Sequence, residues 1–504
     1  MAHYLMALDA GIGGGRCVVF DTGGQIVSNH YREWTYERPA AYPGAVQFNA
    51  DEFWDLFCEV IRAALADLPY GEIAAISATC MREGCVLLDH AGRELYAGPP
   101  MDERARLEND ELAAGMGQRI FERTGHWPSS LYPAGRLMWF QRHQPELWER
   151  VGTFLMISDW ILYRLSGERG TEPSALCASL LLDLHEQSWA DFILERANIP
   201  REILPPIYRT GTVLGTVSHK AAEETGLPKG IPVILGGADA QFGLIGMGAT
   251  RPGSVGAVAG TTTCVLQVLD RPAVDPGTRL WTRCHAVPGT WALEGNAGMT
   301  GIVFRWLRDL LPGRSGDTYA EMSEQAAGVP IGANGVAVIA SSVLDAKRMD
   351  RVFAPVSIMG VDVMQPIHAG LDQIIRATME NICYAVRGNI ELIEQAGGRK
   401  VTELRLCGGQ ARSPFWTQMQ ADVLNVPVLV SSAVEATALG AAVAAGVGVG
   451  IYPDMTTGGD AVARLTVVEP IPGRQADYEP YYQHWLRLYE MRKQLPDNLI
   501  YGPR

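Results

Sequence analysis

The amino-acid sequence predicts an α/β fold built from two similar domains. The chain has 504 residues, too many for one ordinary hydrophobic core. Short apolar runs stop at paired glycines and are followed by helical patterns, as in residues 233–235 before Gly236 and Gly237. A hairpin with a small-residue turn occurs after Asp9 and again at Gly260, which indicates an internal repeat. We therefore expect two domains, spanning residues 1–247 and 248–504.

The overall composition excludes several classes of protein. Apolar residues make up 47% and charged residues 19% of the chain, a normal globular balance. A formal net charge of −14 and the lack of a basic stripe argue against nucleic acid as a partner. Nine scattered cysteines without metal-ligand spacing fit reduced thiols in a cytoplasm. With no apolar run of membrane-spanning length and no targeting segment, we expect a soluble cytoplasmic protein without a membrane partner.

The first element is a glycine-rich hairpin. An apolar strand over 4–8 ends at Asp9, the glycines Gly11 and Gly13–Gly15 follow, and a second strand covers 17–20. A third strand follows over 25–29. Glycine turns can aim several backbone N–H groups at one point and so bind phosphate. The alternative is a flexible hairpin tip. The dinucleotide-binding fingerprint is excluded, because that motif requires a helix after the glycines.

Strands and helices then alternate through the first half. Apolar spacing predicts helices over 51–68, 137–142 and 156–165. A buried strand over 73–76 leads to the adjacent charges of Arg82 and Glu83. This pair is either a solvated turn or a means of holding a polyhydroxylated ligand by charge-assisted hydrogen bonds. Asp102 repeats the pattern of a carboxylate placed just after a strand.

Asp239 follows the glycine-terminated strand over 233–235 and precedes a small-residue helix. A strand end of this kind places the next side chain at the edge of the sheet where ligands bind in α/β proteins. With no Lys or Arg close in sequence, Asp239 is a candidate general base. The alternative is a helix N-cap, a position that Asp favours.

The second half repeats these signals. A strand, a turn at 261–263 and a strand over 264–268 mirror the opening hairpin. Another apolar strand stops at Gly408 and Gly409, and Ser413 with Pro414 predicts the N-cap of a helix over 415–424. The start of that helix would face the glycine turn and favour an anion. Further helices are predicted over 301–311, 371–395, 435–446 and 478–495, the last with an aromatic stripe that we interpret as core packing.

Together, these glycine turns and carboxylates favour phosphoryl transfer between the two domains. That chemistry needs positioned phosphates, Mg²⁺ to neutralise charge, and a base for the attacking hydroxyl. Asp9 is expected to approach Mg²⁺ through water, which that ion largely retains. Asp239 would accept the hydroxyl proton.

The order of these residues resembles the FGGY carbohydrate kinases over essentially the full length. The motifs that carry the resemblance are Asp9-x-Gly11 with Arg16, Arg82-Glu83, Asp102-x-Arg104, Asp239, Gly260-Thr261-Thr262, Gly408-Gly409 and the Glu-Ala-Thr-Ala-Leu-Gly segment at 435–440. The resemblance implies two ribonuclease-H-like domains of the actin, hexokinase and Hsp70 ATPase superfamily, with an active-site cleft between them. It also implies transfer of the ATP γ-phosphate to a sugar or polyol hydroxyl.

The resemblance assigns the site residues. Asp239 is the catalytic base, and the substrate residues are Arg82, Glu83, Asp102, Tyr132 and Asp239. The residues around ATP are Gly11, Ile12, Gly13, Gly14, Arg16, Thr261, Thr262, Gly301, Arg305, Gly408, Gly409 and Ser413. Asp9 and Asp239 are the expected Mg²⁺ residues.

Two groups within the family compete. The segment from Ala292 to Gly295 and Tyr132 resemble glycerol kinases, whereas the segments at 81–84 and 156–160 resemble the autoinducer-2 kinases, which phosphorylate a linear five-carbon dihydroxy-ketone. We favour the second group, with a glycerol kinase, a xylulose-type pentulose kinase or a non-catalytic sugar sensor on the kinase fold as alternatives. The expected partners are a small sugar or polyol and ATP, and a homodimer is among the states that the sequence allows.

Three departures from the family pattern affect ligand binding. Ile12 and Gly13 stand where hydroxyl side chains are usual, so two phosphate donors are missing. Pro100 replaces an aromatic residue two positions before Asp102, which reshapes the expected sugar pocket. The loop between Gly360 and Gln373 is longer than the family pattern.

Overall fold

Two sheets organise the chain. The computed structural model describes residues 3–69, 71–310, 318–349, 355–362, 364, 370–496 and 499. The strands of the first half are β1 (His3–Ala10), β2 (Gly14–Asp21), β3 (Ile26–Glu33), β4 (Glu72–Cys80), β5 (Cys85–Asp89), β6 (Glu94–Gly98), β7 (Val151–Met156), β8 (Leu182–Asp183), β9 (Ser188–Trp189), β10 (Val213–Thr216) and β11 (Pro232–Ala238). The strands of the second half are β12 (Val255–Ala259), β13 (Thr263–Leu269), β14 (Trp281–Cys284), β15 (Trp291–Asn296), β16 (Ala337–Ile339), β17 (Ser357–Met359), β18 (Leu404–Gly408), β19 (Val428–Ser431) and β20 (Leu465–Val468).

Each of the two sheets contains five strands in the same arrangement. Their orders are β10-β11-β4-β1-β2-β3 and β14-β15-β13-β12-β18-β19-β20. Each contains an antiparallel three-strand meander, β1-β2-β3 in the first and β12-β13-β15 in the second. In each, two parallel strands continue the sheet from the first strand of the meander, β4 and β11 in one and β18 and β19 in the other. This repetition confirms the predicted two-domain α/β fold and its internal repeat.

Helices cover the sheets and join them. They are α1 (Ala50–Asp67), α2 (Arg106–Thr124), α3 (Pro133–His143), α4 (Pro145–Trp148), α5 (Ile157–Ser166), α6 (Pro173–Leu176), α7 (Asp191–Ala197), α8 (His219–Thr225), α9 (Asp239–Gly246), α10 (Thr300–Asp309), α11 (Thr318–Ala327), α12 (Leu371–Gly397), α13 (Pro414–Leu424), α14 (Ala436–Gly448), α15 (Met455–Val462) and α16 (Arg474–Gln494). Among the described helices, none is both long enough and apolar enough to cross a membrane.

Local sequence signals explain several helix ends. Ser413 caps α13 by accepting a hydrogen bond from the Trp416 N–H at 3.2 Å, and Pro414 is the first helical residue, as predicted. On α16 the predicted core packing holds for Tyr482, Trp485 and Tyr489, which are buried, and for Leu488, which packs against the same core, but Tyr481 of the predicted stripe is 40% exposed. The predicted end of the helix over 301–311 and part of the loop between Gly360 and Gln373 lie outside the described residues.

The contact between α9 and α14 joins the two halves. α14 belongs to the second half, yet its apolar side chains share a buried cluster with strands of the first sheet, Ala438 and Leu439 packing with Leu5 and Ile234. The backbones approach so closely that a Cβ on Gly440 would lie 2.0 Å from the Phe242 carbonyl oxygen. A Cβ on Gly246 of α9 would likewise lie 2.0 Å from the Ala436 carbonyl oxygen. Each helix therefore supplies a glycine that admits the backbone of the other.

Candidate active site

Three parallel strands of the first sheet deliver the predicted catalytic residues to one edge. β4 lies between β1 and β11, with Asp9 opposite Thr79 and Ala238 opposite Cys80. Asp9 lies near the end of β1, Arg82 and Glu83 follow β4, and Asp239 follows β11. The carboxyl ends of parallel strands form the ligand-binding edge of such sheets, so these side chains converge there.

Asp239 is the first residue of α9, and Ala238 occupies the N-cap position. The capping alternative therefore does not describe it. Its side chain is 38% exposed, its Oδ1 accepts a hydrogen bond from the Ala240 N–H at 2.7 Å, and Arg82 Nε lies 3.6 Å from the same oxygen. Burial raises the pKa of Asp239, whereas the charge of Arg82 and the hydrogen bond from the Ala240 N–H lower it. A carboxylate with a raised pKa that still reaches the cleft suits proton acceptance.

Asp9 shares this electrostatic environment. Its pKa is raised to about 7, first by burial and then by the charge of Asp239, while Arg16 opposes both effects. Asp9 and Arg16 are paired across the β1–β2 ladder, so this arginine is held beside the carboxylate by strand register. A second carboxylate close enough to perturb Asp9 marks this part of the site as one that favours a cation.

Arg82 and Glu83 contact charged residues of the second half. Arg82 donates from Nη1 and Nη2 to the two Glu294 oxygens, at 2.5 and 2.9 Å, and Arg283 Nη2 donates to Glu83 Oε1 at 3.0 Å. Glu83 adopts a φ of 63°, a left-handed conformation that is uncommon for a residue other than glycine. Backbone strain of this kind is concentrated at functional sites. The solvated-turn alternative therefore fails, because both side chains are nearly buried and paired.

Tyr132 lies beside this cluster with a free hydroxyl. Its side chain is fully buried, and its hydroxyl has no hydrogen-bond partner within the described part of the chain. Burial raises the pKa of Tyr132 well above its usual value. The charge of Arg283 lowers this pKa, and the charge of Glu83 raises it. The His126 ring packs against Tyr132 with centroids 5.3 Å apart. An unsatisfied buried hydroxyl next to charged groups is consistent with the predicted contact to a hydroxylated ligand.

Asp102 occupies a supporting position. Its carboxylate is fully buried and accepts hydrogen bonds from the Val46 N–H at 3.1 Å and from Arg104 Nε at 2.9 Å, and Tyr96 donates its hydroxyl to the other oxygen. These bonds and the burial hold the carboxylate fixed within the fold. Asp102 thus supports Tyr96 and Arg104 in the structure, and its contact with the substrate remains a prediction.

A cavity of about 730 Å³ lies in the second half and matches much of the predicted nucleotide site. Of the predicted residues, Thr261, Gly301, Arg305, Gly409 and Ser413 line it. Thr262 and Gly408 do not belong to its lining. Gly408 instead adopts a φ of 94° where a Cβ would lie 2.2 Å from the Ala259 carbonyl oxygen, so only glycine allows β18 to end this close to β12.

Aromatic side chains that the sequence did not predict form one wall of this cavity. Phe304 stacks on Tyr319 with ring centroids 5.8 Å apart and packs on Trp416 at 4.7 Å. Arg412 and Gln410 also line the cavity. An apolar aromatic wall beside polar groups and a helix N-terminus is typical of a pocket for a base with attached phosphates.

The opening hairpin lies outside this cavity, and its Gly11 N–H donates to the Gly14 carbonyl at 3.0 Å. Tyr36 donates its hydroxyl to the Ile12 carbonyl at 2.6 Å, and the Trp34 N–H donates to the Gly13 carbonyl at 3.3 Å. Because a trans peptide directs its N–H opposite to its C=O, these carbonyl bonds turn the N–H groups of Gly13 and Gly14 to the other side. Gly14 and Gly15 belong to β2, so the turn is shorter than predicted.

The hairpin is also tied to the second half. Arg16 lies over the Tyr31 ring at 5.2 Å and forms an ion pair with Glu435, the residue before α14. Burial and Glu33 raise the pKa of Tyr31, opposed by Arg16 and by Arg305 of α10. Arg305 therefore lines the large cavity and also lowers the pKa of Tyr31 beside the hairpin.

The sequence reasoning missed the roles of Glu294, Arg283 and His126. Glu294 did carry a signal, because a charged residue within the apolar strand β15 must find a partner when it is buried. Arg283 carried none, since its partner Glu83 lies 200 residues away, and no local pattern marked the packing of His126 on Tyr132.

The repeated sheet order, the carboxylates between the halves and the adjoining cavity define a two-domain phosphotransferase. Residues 4–246 match the N-terminal domain of the FGGY family of carbohydrate kinases, and residues 255–449 match the C-terminal domain of that family. The chain belongs to the FGGY family of carbohydrate kinases.

Individual relatives agree with this assignment. An autoinducer-2 kinase from Salmonella paratyphi A is 36% identical over 98% of this chain and 96% of its own. The crystal structure of a xylulose kinase from Lactobacillus acidophilus covers 98% of this chain and 99% of its own with a TM-score of 0.86 at 21% identity. The crystal structure of a Plasmodium falciparum glycerol kinase with ADP covers 98% of this chain and 99% of its own, with a TM-score of 0.85 at 20% identity. These two structures support the fold, and the chain is a carbohydrate kinase.

Proposed function

We propose that the chain phosphorylates a hydroxyl of a small linear dihydroxy-ketone of the autoinducer-2 type, using ATP and Mg²⁺. The observation that carries the proposal is the placement of Asp239, with its raised pKa, at the sheet edge beside Arg82 and Glu83. Similarity to the autoinducer-2 kinase over nearly the whole chain supports the choice of acceptor.

Asp239 acts as the general base in this proposal. Its Oδ1 is engaged by the Ala240 N–H, while Oδ2 has no hydrogen-bond partner within the described residues. Oδ2 can accept the proton of an acceptor hydroxyl, which then attacks the γ-phosphate. Arg82, Glu83 and Tyr132 would orient the remaining oxygens of the acceptor.

The N–H groups of the opening hairpin and the cavity around Thr261 and Gly409 would hold the triphosphate from two sides. The aromatic wall at Phe304 would pack on the base. Closure of the cleft around both substrates would exclude water, which would otherwise hydrolyse ATP.

The residues present fit Mg²⁺. The charge of Asp239 raises the pKa of Asp9, so a cation near both carboxylates would relieve their repulsion. Within the described part of the chain, no group of three or more His, Cys, Asp or Glu side chains is placed to hold a metal ion by itself. Mg²⁺ commonly uses one or two carboxylates with water and substrate phosphates, and when bound it would neutralise phosphate charge.

A coupled ADP-release assay tests the proposal. The acceptors are the linear dihydroxy-ketone precursor of autoinducer-2, D-xylulose and glycerol, each with and without EDTA. We expect the highest kcat/KM with the dihydroxy-ketone, and activity that EDTA abolishes and excess Mg²⁺ restores. A preference for D-xylulose or glycerol would move the chain to the corresponding alternative, and thermal stabilisation by sugars without any ADP release would support the sensor. We also propose that the kinase acts in the cytoplasm, which the nine buried free thiols support.

A further inference from the structure

Glu294 links the second sheet to the catalytic edge of the first. It lies on β15, its side chain is fully buried, and its two oxygens accept hydrogen bonds from Nη1 and Nη2 of Arg82 at 2.5 and 2.9 Å. Arg283 Nε lies 2.7 Å from Glu294 Oε2. A carboxylate held by two guanidinium groups is a fixed charge, and its bidentate pair with Arg82 fixes the plane of that guanidinium.

Arg82 has a second carboxylate within reach. Its Nε lies 3.6 Å from Asp239 Oδ1, beyond the usual N–H···O hydrogen-bond range of about 2.7–3.2 Å. The arginine side chain is only 9% exposed, so water can replace a lost partner only in part. A buried guanidinium that loses one carboxylate is strongly driven to find another. Asp239 is the residue in position to supply it.

A bidentate pair between Arg82 and Asp239 would impair catalysis. It would occupy both oxygens of the carboxylate that must accept the hydroxyl proton. In the structure Glu294 holds the two terminal nitrogens, so Asp239 keeps Oδ2 without a hydrogen-bond partner among the described residues. The geometry thus separates two functions: Glu294 neutralises Arg82, and Asp239 stays available.

We propose that Glu294 is a positioning residue that keeps Arg82 from forming a bidentate pair with Asp239. The proposal rests on the proposed role of Asp239 as the base. Because Glu294 belongs to the second sheet while Arg82 and Asp239 follow strands of the first, the base is available only while the two sheets are in contact.

The first test compares crystal structures of the wild type and Glu294→Gln, an isosteric change that removes the charge. We expect the terminal nitrogens of Arg82 to move within about 3.2 Å of the Asp239 carboxylate. An Arg82 that keeps its wild-type position overturns the proposal. This comparison needs no substrate, so its outcome does not depend on the proposed function. The proposed function fails separately, if the wild type phosphorylates no acceptor.

The second test is a double-mutant cycle. Glu294→Gln should lower kcat about 10- to 100-fold with an unchanged KM for ATP, because the base is misplaced while the nucleotide cavity is intact. In an Arg82→Met background the same substitution should cost less than about threefold, since the guanidinium that would pair with Asp239 is already absent. Equal losses in both backgrounds overturn the proposal.

Arg283→Gln is the matched control, because it removes the other guanidinium on Glu294 and leaves the Arg82 pair in place. It also deprives Glu83 of its partner, so we expect a raised KM for the acceptor and a smaller fall in kcat. A loss of kcat as large as that of Glu294→Gln would indicate a general structural role and overturn the proposal. If Glu294→Gln does not fold, Glu294→Asp replaces it, because this change withdraws the carboxylate by one methylene. A fall in kcat of Glu294→Asp without movement of Arg82 overturns the proposal.

Discussion

Asp9 and Arg16 face each other across the first two strands, and each also interacts with a carboxylate from elsewhere in the chain. Asp9 is perturbed by Asp239, and Arg16 forms an ion pair with Glu435 at the start of α14. The opening hairpin is thus electrostatically connected to the base and to the helix that joins the two halves.

Asp239→Asn removes the proposed base and keeps its shape. We expect turnover to fall by roughly two to four orders of magnitude, the usual contribution of a positioned acid or base, while ATP binding is retained. Coupled kinetics and calorimetric titration with ATP measure the two quantities. Asp55→Asn, an exposed substitution on α1, is the matched control and should behave like the wild type. Unchanged turnover in Asp239→Asn would show that another group accepts the proton.

The pH dependence of turnover should reflect the raised pKa of Asp239. The base works only when deprotonated, and burial raises its pKa above the usual 3.8, so activity should be lost as pH falls and at a higher pH than for an ordinary carboxyl. A kcat/KM profile after preincubation at each pH separates this loss from unfolding. A profile that stays flat to about pH 4 would contradict the assignment.

Ile12→Thr restores a hydroxyl at the tip of the opening hairpin. Ile12 is 38% exposed and its carbonyl is held by Tyr36, so the backbone should not move. We expect the KM for ATP to fall several-fold, in line with one added neutral hydrogen bond of about 1 kcal/mol. Ile12→Val is the control, because it has the branched shape without the hydroxyl. Equal effects of the two changes would mean that the backbone N–H groups suffice.

Gly440→Ala should destabilise the protein. The added Cβ would lie 2.0 Å from the Phe242 carbonyl oxygen, a backbone atom that cannot move away without shifting α9. Overpacking of this kind costs about 1–3 kcal/mol, and thermal unfolding should show a lowered midpoint. Gly115→Ala on α2 meets only the Arg196 side chain at 3.9 Å and should be neutral or stabilising. A wild-type midpoint in Gly440→Ala would mean that the helices can separate freely.

Substrate binding should compact the molecule. ATP and acceptor contact residues of both halves in the proposed site, so their joint binding favours a closed cleft. Small-angle scattering of Asp239→Asn, which retains substrates without turnover, should show a smaller radius of gyration with both ligands than with neither. An unchanged radius would argue that the described conformation is already closed.

The sequence was most informative where the signal is local. Asp9 lies near the end of an apolar strand and Arg82 and Asp239 each follow one, and a strand end is recognisable without knowledge of its neighbours. The fold followed from the same signals, because the second hairpin repeats the first. Ser413 was predicted correctly for this reason too, since a helix cap depends on residues close in sequence.

The sequence was least informative where a role depends on a distant partner. Glu294 lies 212 residues from Arg82, and nothing near either residue announces the pair. Asp102 has the same local pattern as Asp239, yet its oxygens are taken up by Tyr96, Arg104 and Val46. The aromatic wall of the cavity escaped prediction because Phe304 and Trp416 meet only in the folded chain.

The mutual glycine contact of α9 and α14 limits how the two halves of the chain can move relative to each other. Because backbone meets backbone at this crossing, no side-chain rearrangement can separate the two helices, and we expect the two halves to rotate about it. Displacement grows with distance from a rotation axis, and Asp239, the first residue of α9, lies only a short way along the helix from it. We therefore expect Asp239 to move little when the two halves close, and the nucleotide-binding half to move toward it.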